Sequence, residues 1–189
     1  AKTGSAFIEG RTAAPGVGYH GGPRTTKIGE MQPANTDRGR HLLEVFQHAA
    51  WKVAVQENMP GMLWMKFAAI AGPAAVNADT NSVYEEMLTL PETRALIIAA
   101  MKETLSVGKA SGAPIIDGTL ERAINAMDNF PAQGRASLAK DFSEGRLVEL
   151  EGITGTLVRL GRETNTPTPV NNALYAILKP WAMRIEASI

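Results

Sequence analysis

Hydrophobic and polar positions follow two different periods along this chain. From Ser5 to Met31 apolar residues come singly or in short runs between glycines, a strand-like texture. Residues 5–9, 17–20 and 25–29 are the candidate strands, with turns expected at Ala14-Pro15-Gly16 and Gly21-Gly22-Pro23. A meander of this size is marginal alone and needs a larger sheet to join. After Gln32-Pro33-Ala34-Asn35 the period lengthens to that of a helix. Residues 36–50 open on the cap candidate Thr36 and carry Leu42, Leu43, Val45 and Phe46. A long apolar helix starts near Pro60. Pro91 suits the first turn of another helix, reaching Ser111, which Gly112 can close. Residues 117–129 form a shorter helix. Leu150, Ile153, Leu157 and Leu160 recur at three- and four-residue spacing as an apolar stripe, and Thr166-Pro167-Thr168-Pro169 breaks the chain rigidly before a last helix from Val170. The pattern predicts a mainly α chain of six or so packed helices behind a short strand fragment.

Composition narrows the classes. At 189 residues, 44% hydrophobic and 20% charged, the chain reads as soluble and globular. Lys+Arg and Asp+Glu balance at 19 each, without the basic excess that nucleic-acid binding draws on. The absence of cysteine excludes disulfides, thiolate metal sites and cysteine nucleophiles, and three scattered histidines give no reason to expect a metal. This fits a cytoplasmic protein. The longest apolar run, residues 59–78, is interrupted by Lys66, Gly72 and Pro73, so it reads as a buried helix and not a membrane span. No charged-then-apolar leader opens the sequence.

Gly16-Val17-Gly18-Tyr19-His20-Gly21 matches the GxGxxG dinucleotide fingerprint by letter. That fingerprint works only where a strand precedes it and a helix follows at once, so that the first amides of the helix receive the pyrophosphate. Here Gly22-Pro23 and a β-like stretch follow, and the hexapeptide reads as a turn. Lys66 carries the stronger signal. It is the only charged residue between Glu57 and Asp79, and its helical neighbours are Met62, Leu63, Ala69 and Ile70. Removing an ammonium from water costs several kcal/mol unless it is paired. Either the stem lies on the core with the ammonium reaching solvent, or the ammonium faces a water-poor cleft and serves as a proton donor. Glu149 is the candidate partner, beside the apolar stripe and about 100° round the helix from Leu150, with Glu151 on the other flank. Its place near a helix start is explained equally well by the helix dipole.

Several ordered motifs resemble the ketopantoate reductase family. Met62-Leu63-Trp64-Met65-Lys66-Phe67 is similar to its LWxKF/L segment, and Leu90-Pro91-Glu92-Thr93-Arg94-Ala95-Leu96 to the helix opening that follows. Ser137-Leu138-Ala139-Lys140-Asp141 resembles its S-M-x-x-D stretch, and the run from Glu144 through Glu149 to Gly155 its G-R-x-x-E block. Leu157–Glu163, Pro167–Asn171 and Leu174-Tyr175 resemble its closing signature, while Ala14-Pro15-Gly16-Val17 and His20-Gly21-Gly22 resemble the strands that end its nucleotide-binding domain. The resemblance covers nearly the whole chain. It implies a Rossmann domain followed by a helical domain of the 6-phosphogluconate dehydrogenase type, with the substrate cleft between them. On that basis residues 1–33 are the terminal strands of a truncated Rossmann domain, and residues 34–189 the helical substrate and dimerisation domain.

The resemblance further implies an NADP-dependent reductase of a 2-oxo acid in pantothenate biosynthesis, here as its C-terminal half, inactive alone and forming a homodimer. NADP would be held mainly by the missing Rossmann domain. In the family, the lysine matching Lys66 hydrogen-bonds the 2-oxo group and acts as general acid. The glutamate matching Glu149 contacts ligand, and the serine matching Ser137 holds the substrate carboxylate. Two departures bear on substrate choice: Ile70 stands where many members carry an asparagine, and Gly72-Pro73 replaces a following Asn-Pro pair with altered spacing. Ala136 also replaces a common serine next to Ser137. Asn77, Asn81, His20, His41 and His48 match no family role. Met59, Met62 and Met65 read as core filler. The alternative is a non-catalytic dimerisation or scaffold module of the same fold.

Overall fold

A computed structural model describes residues 2–31, 37–49 and 51–188. It divides into two compact units, Ala1–Leu63 and Trp64–Ile189. The cap expected at Thr36 and the linker at 32–35 lie outside the described residues.

Among the described residues, the first unit holds a three-stranded sheet and a helix, and ends in the first turn of the next helix. Strands β1 (Lys2–Ala14) and β2 (Val17–Glu30) form a long antiparallel hairpin whose pairing runs from Lys2↔Glu30 to Ala14↔Val17. Its turn falls at Gly16, whose φ of 77° is a conformation that glycine adopts without strain. The second expected turn, at Gly21-Gly22-Pro23, is instead an irregularity within β2, between the pairs Phe7↔Thr25 and Glu9↔Gly21. Pro23 has no amide hydrogen to give the ladder, so the strand bulges there and continues. The expected strands 17–20 and 25–29 are therefore one. Helix α1 (Asp37–His48) leads to β3 (Lys52–Gln56), which pairs parallel with β2 from Thr25↔Lys52 to Gly29↔Gln56. Sequence reading had missed β3. Trp51 Nε1 donates to Thr26 Oγ1 at 2.8 Å and ties the entrance of β3 to β2.

The long helix α2 (Met59–Thr80) leads into the second unit, which holds α3 (Tyr84–Thr89), α4 (Pro91–Ala110), α5 (Thr119–Asp128), α6 (Ser137–Ser143), α7 (Thr156–Glu163) and α8 (Pro169–Glu186), with α3, α5, α7 and α8 packed against α4. Pro91 and Gly112 bound α4 as expected. Pro91 occupies the first helical position, and Gly112, at φ 83°, donates to Lys109 O while Ala113 donates to Gly108 O, each at 3.0 Å. Small residues bring α2 and α4 together. A Cβ on Gly72 would sit 3.0 Å from Ala100 Cβ, and one on Gly108 would lie 2.7 Å from the Trp64 ring. Since residue 64 faces 108 and residue 72 faces 100, the two helices run antiparallel.

The expected stripe at Leu150, Ile153, Leu157 and Leu160 is modified. A π-helical turn, Glu151–Gly155, precedes α7, and its Gly155 N–H reaches Leu150 O at 2.9 Å. Leu150, Thr154, Leu157 and Val158 are buried, whereas Ile153 and Leu160 are half-buried. One extra residue in the turn rotates the buried face beyond what a regular period predicts.

Helix α8 is capped from outside its own sequence. The Glu103 carboxylate of α4 accepts from Val170 N at 2.8 Å, Asn171 N at 2.9 Å and Asn171 Nδ2 at 2.7 Å. These satisfy amides that no helix can satisfy internally. Glu103→Ala should therefore lower unfolding free energy by about 2–4 kcal/mol, measured by urea denaturation, and a loss under 0.5 kcal/mol would show the cap to be dispensable.

Candidate functional site

The orientation of Lys66 follows from the packing of its helix. With Trp64, Ala68 and Gly72 turned toward α4, Lys66 lies about 200° round from Trp64 on an ideal helix, Ile70 about 240° and Asn77 about 220°. All three share the face opposite α4. Lys66 is half-buried on that face, and Ile70, one turn further, is 39% exposed on a helix whose following turn is wholly buried. Desolvation of the ammonium holds the Lys66 pKa below its ordinary 10.5. Met59 and Met62 are buried, as core filler should be.

The other two expected site residues lie on separate segments of the same unit. Ser137 is the first residue of α6 and is exposed. Glu149 is exposed just before the π turn, its carbonyl accepting from Ile153 N at 3.0 Å. The segment between them folds back on α6: Arg146 N donates to Asp141 O at 2.9 Å, and Arg146 Nε to Asp141 Oδ1 at 2.9 Å.

Asn77, which sequence reading could not place, joins two of these segments. It is 0% exposed. Its Nδ2 donates to Ser82 O at 2.6 Å, and its Oδ1 accepts from Ala136 N at 2.8 Å, so the end of α2 is fastened to the residue before Ser137. Asn81 has φ 53° and accepts from Arg135 Nη2. A buried amide on an apolar helix was the visible signal; its partner, 59 residues away, was not.

Glu151, expected only to flank the stripe, is the centre of a polar cluster. It accepts from Tyr175 Oη at 2.6 Å, Arg159 Nη1 at 3.1 Å and Lys179 Nζ. The hydrogen bond from Lys179 and then that from Tyr175 hold its carboxyl below the usual range, and the same bond raises Lys179 above 10.5. Gly16 makes the turn and residues 17–21 of the hexapeptide already lie in β2, with no helix before α1 among the described residues, which is not the strand-then-helix geometry of a dinucleotide cradle. Among the described residues no His, Asp and Glu group could hold a metal, and no helix is long and apolar enough to cross a membrane.

Residues 58–182 match the family model "Ketopantoate reductase PanE/ApbA C terminal". A 2-dehydropantoate 2-reductase from Mesorhizobium japonicum is 25% identical over 170 residues, covering 90% of this chain and 52% of that protein. The chain thus spans about half the length of that curated relative. Among solved structures, a PanE/ApbA family ketopantoate reductase from Ralstonia eutropha superposes with a TM-score of 0.85 at 23% identity, over 98% of this chain and 60% of its own. A dimeric ketopantoate reductase from Staphylococcus aureus gives 0.80 at 19% identity, over 97% and 62%.

The two shifted lysines can be told apart in solution. In an NMR titration of side-chain-labelled lysines, Lys66 should lose its proton below pH 10.5 and Lys179 above it, and Glu151→Gln should bring Lys179 down without moving Lys66. Between the lowered folded value of Lys66 and 10.5 the unfolded chain binds the extra proton, so the contribution of this group to stability rises with pH through that window. A Lys66 resonance titrating with the bulk lysines would remove the case for a desolvated ammonium.

Proposed function

Because the chain belongs to the ketopantoate reductase family through its C-terminal domain, we propose that it supplies the substrate-binding half of an NADP-dependent reductase of a 2-oxo acid. One observation carries this reading: a half-buried ammonium with a lowered pKa on the face of α2 turned away from α4. The resemblance of Lys66, Ser137 and Glu149 to the family's ligand-contacting positions supports it. NADPH, held mainly by a Rossmann half outside this chain, supplies the hydride in such a reaction.

The residues of this chain do the rest. Reduction of a 2-oxo acid places negative charge on the former carbonyl oxygen. Lys66 donates a hydrogen bond to that oxygen and then its proton, so the alkoxide never stands uncompensated. A lysine with its pKa below 10.5 is a stronger acid than a solvated one, which favours the transfer at neutral pH. Ser137 holds the carboxylate of the substrate through its hydroxyl. Glu149 contacts the ligand from the segment before the π turn. A homodimer is the assembly that accompanies this reading, supported by the dimeric state named for the S. aureus enzyme and by Ile177 and Met183, both exposed on α8.

With this chain joined to a nucleotide-binding half, NADPH oxidation should proceed with one or more members of a 2-oxo acid panel. Lys66→Ala should lower kcat by about 10²–10⁴-fold. Equal turnover by the two proteins would dispose of Lys66 as the proton donor. Ile70 gives an independent check on specificity. An apolar side chain there offers no hydrogen bond to a substrate hydroxyl, so Ile70→Asn should raise kcat/KM for ketopantoate relative to unhydroxylated 2-oxo acids by about tenfold. An unchanged ratio would place Ile70 away from the ligand.

A further inference from the structure

Asn77 is fully buried among apolar neighbours of α2. Burying an amide is unfavourable unless its donor and acceptor are both matched, and here both are. The Ser82 bond is local and turns the chain at the end of α2. The Ala136 bond crosses 59 residues. It fixes a backbone amide one residue before Ser137, so the Cα of the serine lies about 3.8 Å from a fixed Cα. Arg135, on the other side of Ala136, is bonded to Asn81. Asn77 points within about 20° of Lys66 on an ideal helix, so the fastening and the ammonium belong to one face.

From this geometry we infer that Asn77 is a positioning residue: its amide sets the place of Ser137 relative to the helix that carries Lys66. The inference rests on the reading of Lys66 and Ser137 given above. The two amide atoms do separable work. Oδ1 holds the segment that carries Ser137, while Nδ2 only closes the end of α2. Aspartate in this position keeps the acceptor and loses the donor; alanine loses both.

The test compares wild type, Asn77→Ala and Asn77→Asp in the enzyme completed with a nucleotide-binding half, at a temperature where all are folded. Asn77→Ala should raise KM for the 2-oxo acid by about tenfold or more, while kcat at saturation and KM for NADPH stay within about threefold. Asn77→Asp should melt at least as early as Asn77→Ala, because it buries a carboxylate, yet keep KM within about threefold of wild type. Should the alanine variant not fold, Asn77→Ser supplies the truncation. Amide hydrogen exchange at Ala136 should be faster than in wild type for the truncation and protected in the aspartate variant. A KM untouched by truncation, or one that follows melting temperature in both variants, overturns the positioning role. A wild-type enzyme that reduces no 2-oxo acid overturns the functional reading instead, and with it this one; the Ala136 exchange result stands apart from that failure and checks the fastening itself.

Discussion

What α2 can present is decided by the side it gives up to α4. Gly72 and Gly108 remove the side chains that would hold the two helices apart, and the gap is closed by Ala100 and the Trp64 ring. Interiors packed to this density leave no freedom for a helix to roll about its axis. A roll of one residue step, about 100°, would carry the Lys66 face toward the interface, where an unpaired ammonium costs several kcal/mol. The outward position of Lys66 is therefore a consequence of small residues on the opposite face.

The two perturbed lysines show how the same side chain is set for opposite ends. Lys179 lies against Glu151, and the tyrosine hydroxyl sharing that carboxylate completes the arrangement; its charge is held more firmly than in water. Such a lysine is a structural cation joining α8 to the π turn. Lys66 has apolar helical neighbours, and desolvation dominates its shift. Burial makes its protonated form less favoured than in water, and in the reading proposed here a substrate oxygen takes that proton.

How much of this was legible in the sequence depends on how far apart the interacting residues lie. Pro91 and Gly112 mark their helix correctly because capping is settled within a few residues. Lys66 stood out because isolation among apolar neighbours is also local. Strand β3 escaped notice because its five residues are strand only through parallel pairing with residues 25–29. Gly22-Pro23 has the composition of a turn, and only the partner strand makes it a bulge. Helix α6 is too short to show a period, and the residue at its start is secured by an asparagine 59 positions away. The π turn is a further case: the spacing of Leu150, Ile153, Leu157 and Leu160 carries no sign of an inserted residue, so the buried face came out rotated.

The segment before Ser137 has the composition of a loop and the bonding of a regular element. Tyr84 N donates to Gly134 O at 3.0 Å and Glu85 N to Ala132 O at 2.9 Å, while Arg135 and Ala136 reach Asn81 and Asn77. Gly134 permits this closeness, since a Cβ there would stand 3.1 Å from the Tyr84 ring and 2.8 Å from Pro131 O of its own turn. Residues 132–136 are thus stitched, nearly one by one, to the end of α2 and the start of α3. In the proposed reading Ser137 meets a small ligand, and a group that does so needs a support whose own freedom has been removed; this stitching gives it one outside any long helix. Glu149 is held differently. Its backbone is tied to the π turn and its side chain is exposed, which leaves the carboxylate able to adjust. In the reading proposed here, a cation on α2, a hydroxyl at the start of α6 and an exposed carboxylate before the π turn suit a substrate whose oxo and carboxylate ends are constant and whose remaining substituent varies.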